Sequence, residues 1–127
     1  MAKTTVTPLS GHIGALVEDL SLSALSDSEF DTVKQAFLDH CVLVFPKQLL
    51  TIEEHLQFAA RWGEFSTSPF VQYHPEHPAV LQLSNLGKAN AVTENWHFDS
   101  SFLPAPPSLT ILSAQKIPVG GDTMWSN

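Results

Sequence analysis

Residues 95–102 read Asn-Trp-His-Phe-Asp-Ser-Ser-Phe, and this stretch says more about the chain than any other segment. Its centre is the pair His97 and Asp99, because alternate side chains of an extended strand point to the same face. Two rises of about 3.3 Å would place the two Cα atoms roughly 7 Å apart on that face. An imidazole nitrogen and a carboxylate oxygen at this spacing suit two ligands of one metal ion.

The pair has two interpretations. With a second histidine from elsewhere, it would form the two-histidine, one-carboxylate face that holds Fe(II) and leaves the opposite positions open. Taken alone, a His-x-Asp tripeptide also fits a polar strand end with a solvated aspartate and a hydrogen-bonded histidine. The surrounding residues therefore have to decide between a metal site and a strand end.

An ordered series of motifs surrounds the pair: Trp96-His97-x-Asp99, then Pro106-Pro107, an apolar stretch, Pro118, and Gly120-Gly121-Asp122-Thr123. This series resembles the motif of the taurine dioxygenase and phenoxyacetate dioxygenase family of iron- and 2-oxoglutarate-dependent oxygenases. Three earlier segments are similar to the same family, namely Gly11–Leu20, Cys41–Pro46 and Phe58–Phe65. The resemblance therefore covers nearly the whole chain.

The resemblance implies an activity and a set of site residues. The expected activity is hydroxylation of a small organic acid, of the sulfonate or carboxylate class, with Fe(II) as the metal and 2-oxoglutarate as cosubstrate. His97 and Asp99 are the implied iron ligands, and the Thr123 hydroxyl is the implied contact to a 2-oxoglutarate carboxylate. Asn95 and Ser100 flank the metal pair and are candidates for substrate contact, although both residue types are as common at such positions without a function.

The family also sets expectations about residues beyond the Gly-Gly-Asp-Thr segment. Its second iron-binding histidine and its 2-oxoglutarate-binding arginine lie far downstream, whereas this sequence ends at Asn127. We therefore expect residues 1–127 to be a single domain, the N-terminal portion of an incomplete oxygenase domain. Alone, it is expected to bind Fe(II) weakly and not to turn over 2-oxoglutarate. The alternative is a catalytically dead fragment or an interaction module that retains half of the family's jelly-roll barrel.

Composition narrows the class of protein. The chain has 6 Lys and Arg against 13 Asp and Glu, a formal charge of −7, and no basic run, which argues against nucleic acid and anionic membranes as partners. Its single cysteine, Cys41, excludes an intramolecular disulfide. No membrane-spanning stretch or export signal is visible, so a cytoplasmic protein acting on a small molecule is expected.

Helices are predicted in the first half of the chain. Ser26 and Glu29 form a capping box before an apolar face at helical spacing, which predicts a helix over about residues 27–39. Thr51 and Glu54 repeat this pattern and begin a second helix, which Gly63 is able to end.

Strands are predicted from apolar runs between turn signals. Residues 41–45 form such a run before Pro46, which predicts a buried strand with the Cys41 thiol in the core. Further strands are predicted over residues 80–84, 96–102, 109–114 and 123–125, with Trp96 and Phe98 packed in the core. In residues 73–78, Pro75 and Pro78 favour a turn with His74 and His77 on the surface over another metal site.

The predicted fold class is α+β, with helices beside an antiparallel sheet. The resemblance sharpens this to a partial double-stranded β-helix, or jelly roll, with flanking N-terminal helices. The open sheet edges of a partial barrel would favour self-association or a homo-oligomer.

Overall fold

The computed structural model describes residues 3–84, 95–117, 119–120 and 122–127. It contains two compact units, the first formed by Met1–Glu54 with Ala114–Asn127 and the second by His55–Ser113. Among the described residues, no helix is long and apolar enough to cross a membrane.

The first unit holds a sheet of three short strands in the order β1-β2-β3. β1 (Thr5–Pro8) and β2 (Ala15–Glu18) are antiparallel, with Val6 opposite Val17. β3 (Leu43–Val44) pairs with β2 in parallel. Parallel neighbours need a crossover connection, and the helix α1 (Asp27–His40) provides it here. The sheet is therefore mixed, whereas the sequence predicted an antiparallel one.

Helix α1 begins where the capping box predicted. The Ser26 hydroxyl accepts a hydrogen bond from the Glu29 amide at 3.4 Å, and the Glu29 carboxylate accepts one from the Ser26 amide at 2.9 Å. These bonds satisfy amides that the first turn leaves without helical partners. The Ser26 hydroxyl also donates to the Glu29 carboxylate, and this bond, together with the one from the Ser26 amide, lowers the pKa of Glu29 because both stabilise its charged form. The predicted helix over residues 27–39 is confirmed and extends one residue further.

The core of the first unit lies between α1 and β2. Alternate residues Ala15 and Val17 of β2 are fully buried, as β-strand periodicity requires for one face. On α1, Phe30, Val33 and Ala36 are buried at helical spacing, and Val33 is completely inaccessible. Apolar burial of this kind is the main stabilising contribution to such a unit. A short 3-10 helix, Leu22–Ala24, adds the buried Leu22.

The prediction for Cys41 is wrong. Its side chain is exposed, because residue 41 is the cap of α1 and not the first residue of a strand. The Cys41 amide donates to the Phe37 carbonyl at 2.8 Å, and its φ of +62° turns the chain out of the helix. The strand predicted over residues 41–45 therefore shortens to Leu43–Val44.

The second predicted helix is confirmed as α2, which spans Ile52–Ala60 and crosses the boundary between the units. The Thr51 amide donates to the Glu54 carboxylate at 2.8 Å, and the Glu54 amide donates to the Thr51 hydroxyl at 3.2 Å. Gly63 follows the helix with a φ of +137°, a conformation that residues with a Cβ rarely adopt.

The strands predicted after Gly63 are wrong for the described residues. Residues 80–84, 96–102, 109–114 and 123–125 form turns, bends or irregular backbone there. A strand exists only when a second segment completes its backbone hydrogen bonds, and no ladder joins these runs. The alternating apolar residues of these segments favour a strand, but alternation within one segment does not supply a second segment to pair with.

Candidate metal centre

His97 and Asp99 lie side by side in the second unit. The distance from His97 Nε2 to Asp99 Oδ1 is 3.3 Å, and the two side chains are 49% and 50% exposed. The backbone turns directly after the pair, since Ser100 has a φ of +50° and its carbonyl accepts a hydrogen bond from the Leu103 amide at 3.0 Å. The pair therefore converges without the extended strand that the sequence predicted.

The orientation of the His97 ring is set by the backbone. Nδ1 lies 2.6 Å from the carbonyl oxygen of Asn95. A carbonyl oxygen only accepts hydrogen bonds, so Nδ1 carries the proton that is donated to it. In a neutral ring, Nε2 is then unprotonated, and its lone pair faces Asp99 Oδ1.

The Asp99 carboxylate is held from its other side. The Thr110 hydroxyl donates a hydrogen bond to Asp99 Oδ2 at 2.8 Å. This bond occupies one carboxylate oxygen and leaves Oδ1 directed at the imidazole. Each member of the pair thus has one atom fixed by a neighbour and one atom available to a ligand.

The donor set fits a divalent metal ion. Two acceptor atoms 3.3 Å apart repel each other unless a cation or a proton lies between them. In an octahedral site with bonds of about 2.1 Å, adjacent ligand atoms lie about 3 Å apart, so little movement is needed. Because both side chains are half-exposed, a metal bound to them would be accessible to further ligands.

The other predicted site residues occupy different environments. Asn95 contributes its backbone carbonyl to His97, and Ser100 forms the turn that follows Asp99. Both observations give these two residues a local structural role, and their contact with substrate stays a prediction. Thr123 is exposed and belongs to the first unit, so its contact with 2-oxoglutarate also stays a prediction.

The Pro-x-Gly-Gly motif is described only in part. Pro118 and Gly121 lie outside the described residues. Gly120 is described and has a φ of +83°, a conformation that glycine adopts readily because it has no Cβ.

The core prediction for the two aromatic residues beside the metal pair is wrong. Trp96 is 69% exposed and Phe98 is 87% exposed. Alternation would bury them only if a second layer covered that face of a strand, and the described backbone here is irregular. Instead, Phe102 packs edge-on against Phe70 at a ring-centroid distance of 5.3 Å, which supports the segment after the turn.

Two contributors to the site were missed at the level of sequence. Thr110 carried a weak signal, because its hydroxyl interrupts the apolar run Leu109-Thr110-Ile111-Leu112. The Asn95 carbonyl carried none, because every residue has a backbone carbonyl. Only folding shows which carbonyl reaches a given imidazole.

Comparison with known proteins identifies relatives of the chain. The model of the taurine catabolism dioxygenase TauD, TfdA family matches residues 5–127. An (S)-phenoxypropionate/alpha-ketoglutarate-dioxygenase of Sphingobium herbicidovorans is 32% identical, over 96% of this chain and 44% of that protein. An alpha-ketoglutarate-dependent sulfate ester dioxygenase of Pseudomonas putida is also 32% identical, over 96% of this chain and 41% of that protein.

A solved structure extends the likeness to the fold. The crystal structure of a taurine dioxygenase from Burkholderia xenovorans superposes with a TM-score of 0.55 at 36% identity, over 59% of this chain and 28% of that one. The chain spans less than half the length of the relatives named above. Since the family model matches nearly every residue, the chain belongs to the TauD/TfdA family of dioxygenases.

Proposed function

We propose that this chain supplies the first two metal ligands, His97 Nε2 and Asp99 Oδ1, of an Fe(II)- and 2-oxoglutarate-dependent dioxygenase that hydroxylates a small organic acid. The observation that carries the proposal is the convergence of these two atoms at 3.3 Å, with their outer partners already in place. Family membership supports iron as the metal and 2-oxoglutarate as the cosubstrate.

Each residue of the pair has a definable task. The Asn95 carbonyl keeps the proton on His97 Nδ1, so that the neutral ring offers Nε2 to the metal. Asp99 offsets one positive charge of a divalent ion, and the Thr110 hydroxyl holds the carboxylate in the rotamer that faces His97. When bound, Fe(II) would supply the oxygen-activating chemistry of hydroxylation, with dioxygen as the oxidant and 2-oxoglutarate as the cosubstrate that is oxidised to succinate and carbon dioxide.

The complete domain is proposed to be a jelly roll in which further ligands come from outside residues 1–127. Membership of the family supports this arrangement, and so does the likeness to a solved taurine dioxygenase. Thr123 is proposed to donate its hydroxyl to a 2-oxoglutarate carboxylate. The third iron ligand and the cationic partner of 2-oxoglutarate would come from the downstream part.

The proposed substrate class rests on the named relatives. Their names specify a phenoxypropionate, a sulfate ester and taurine, which all carry an anionic group on a small organic molecule. A sulfonate, sulfate ester or carboxylate is therefore the class to test first. The activity belongs to the whole protein, and the isolated chain is expected to form no succinate, because two protein ligands alone hold Fe(II) weakly.

Anaerobic titration of the chain with Mn(II), a paramagnetic substitute for Fe(II), tests the site. Broadening of the His97 ring signals in the NMR spectrum is expected at lower metal concentrations than broadening of His12 and His40 in the first unit. Asp99→Ala should abolish this selectivity, since the charged ligand is lost. Asp31→Ala removes an exposed carboxylate of α1 and should leave it unchanged. Unaltered selectivity in Asp99→Ala would refute the assignment of these ligands.

A further inference from the structure

We propose that His74, Glu76 and His77 form a binding site for a borderline divalent cation, of the kind represented by Zn(II). The site uses none of the residues around His97 and Asp99. The sequence favoured surface histidines at these positions, but both imidazoles are half-buried and converge with the carboxylate.

The spacing of the three side chains suits a shared ion. One ligand atom from each of His74, Glu76 and His77 lies within 4.8 Å of the others. Around a tetrahedral metal with bonds of about 2.1 Å, ligand atoms lie about 3.4 Å apart, so the atoms must approach by at most about 1.4 Å. Glu76 is exposed and can rotate to make this approach. The two rings already face each other, with centroids 5.0 Å apart and an interplanar angle of 41°.

The backbone holds the ligands in place before a metal binds. The His74 amide donates to the Val80 carbonyl and the Val80 amide donates to the His77 carbonyl, both at 2.8 Å. The His77 amide donates to the His74 carbonyl at 3.2 Å, which closes the turn between them. Pro75 and Pro78 further restrict the two histidines that precede them. Little conformational entropy is therefore lost on binding.

A hydrogen bond of His74 opposes the metal. His74 Nδ1 accepts a bond from the Glu76 amide at 3.2 Å. A metal on Nδ1 would displace this amide, and a metal on Nε2 would require a proton on Nδ1, so the bond is lost in both cases. Loss of a neutral hydrogen bond of this kind lowers the affinity for the metal about tenfold at most. The three metal–ligand bonds that form raise the affinity by more than this.

The donor set selects the class of ion. Two imidazoles and one carboxylate match Zn(II), Ni(II) or Cu(II), with water completing the coordination. Calcium and magnesium prefer an all-oxygen set and are disfavoured here. The formal charge of −7 on the chain adds a general attraction for cations.

Zinc titration against a chromophoric chelator tests the proposal in a His97→Ala/Asp99→Ala background, so that failure of the proposed iron site does not affect the result. One equivalent of zinc should bind. His74→Ala and His77→Ala should each weaken binding by more than about tenfold. The matched control, His12→Ala, removes an exposed histidine of the first unit and should have no effect.

Glu76→Gln keeps the shape of an exposed side chain and is therefore expected to fold. It separates the loss of a metal ligand from the unfolding that an alanine variant could cause. It should weaken zinc binding with the far-ultraviolet circular dichroism unchanged. The proposal is overturned if no zinc binds in this background, or if zinc binds equally well to His77→Ala. It is also overturned if Glu76→Gln has the unaltered affinity, since the carboxylate would then not be a ligand.

Discussion

Replacing Thr110 with valine isolates the support that its hydroxyl gives to Asp99. Valine has nearly the shape of threonine, so the substitution removes only the 2.8 Å hydrogen bond to Oδ2. A hydrogen bond to a charged group contributes about 1.5–3 kcal/mol when it is shielded from water. Because the Asp99 side chain is 50% exposed, water replaces part of the lost bond, and the expected loss is about 1 kcal/mol. That loss corresponds to a roughly fivefold weaker affinity for metal.

The assay is the Mn(II) titration followed by NMR on the histidine ring signals. Thr7→Val is the matched control, since it makes the same chemical change at an exposed position of β1 in the first unit. Its metal affinity should equal that of the unmodified chain. Chemical shifts elsewhere in the second unit show whether Thr110→Val has kept its fold.

Two results would refute this reasoning about Thr110. An affinity within about twofold of the unmodified chain would mean that water supports Asp99 equally well. A complete loss of selective binding, as expected for Asp99→Ala, would mean that Thr110 contributes far more than one hydrogen bond.

Three further perturbations test the remaining assignments. In the whole protein, Thr123→Val should leave metal affinity unchanged but raise the 2-oxoglutarate concentration for half-saturation by about fivefold, because one hydroxyl contact is worth about 1 kcal/mol. Calorimetry measures both quantities, and a weaker metal affinity would contradict the assignment. Val33→Ala should cost about 2–3 kcal/mol in denaturant unfolding, since it removes two fully buried methyl groups and leaves a cavity, whereas exposed Lys34→Ala should change stability by less than about 0.5 kcal/mol. Burial lowers the pKa of His55 despite a hydrogen bond with the Ile111 backbone, so the folded state favours the neutral ring. Stability should therefore fall as the pH drops below the unfolded value of about 6.5 towards the folded pKa, and His55→Gln should lessen that pH dependence of the thermal midpoint.

The parts of the fold that could be predicted are those fixed by neighbours in sequence. Ser26 with Glu29, and Thr51 with Glu54, satisfy amides three residues away, so both helices begin where the sequence placed them. The adjacency of His97 and Asp99 is likewise local, since two residues cannot move far apart. Family membership could be predicted from the same short motif and its ordered surroundings.

Prediction failed where a residue depends on a distant partner. The apolar run at residues 41–45 predicted a strand. In the structure, Cys41 is the C-cap of α1, and only Leu43–Val44 pair with β2. Residues 96–102 have strand-forming side chains but no backbone partner among the described segments, so Trp96 and Phe98 are exposed.

The sequence by itself determined the two helices, the chemical nature of the proposed ligands His97 and Asp99, and the family to which the chain belongs. Only the tertiary structure decided that the Asn95 carbonyl fixes the His97 ring and that Thr110, eleven residues beyond Asp99, holds the carboxylate. It also decided that His74, Glu76 and His77 converge. The physical reason is that ligand chemistry resides in residue types, whereas orientation depends on which backbone and side-chain groups the folded chain brings within hydrogen-bonding distance.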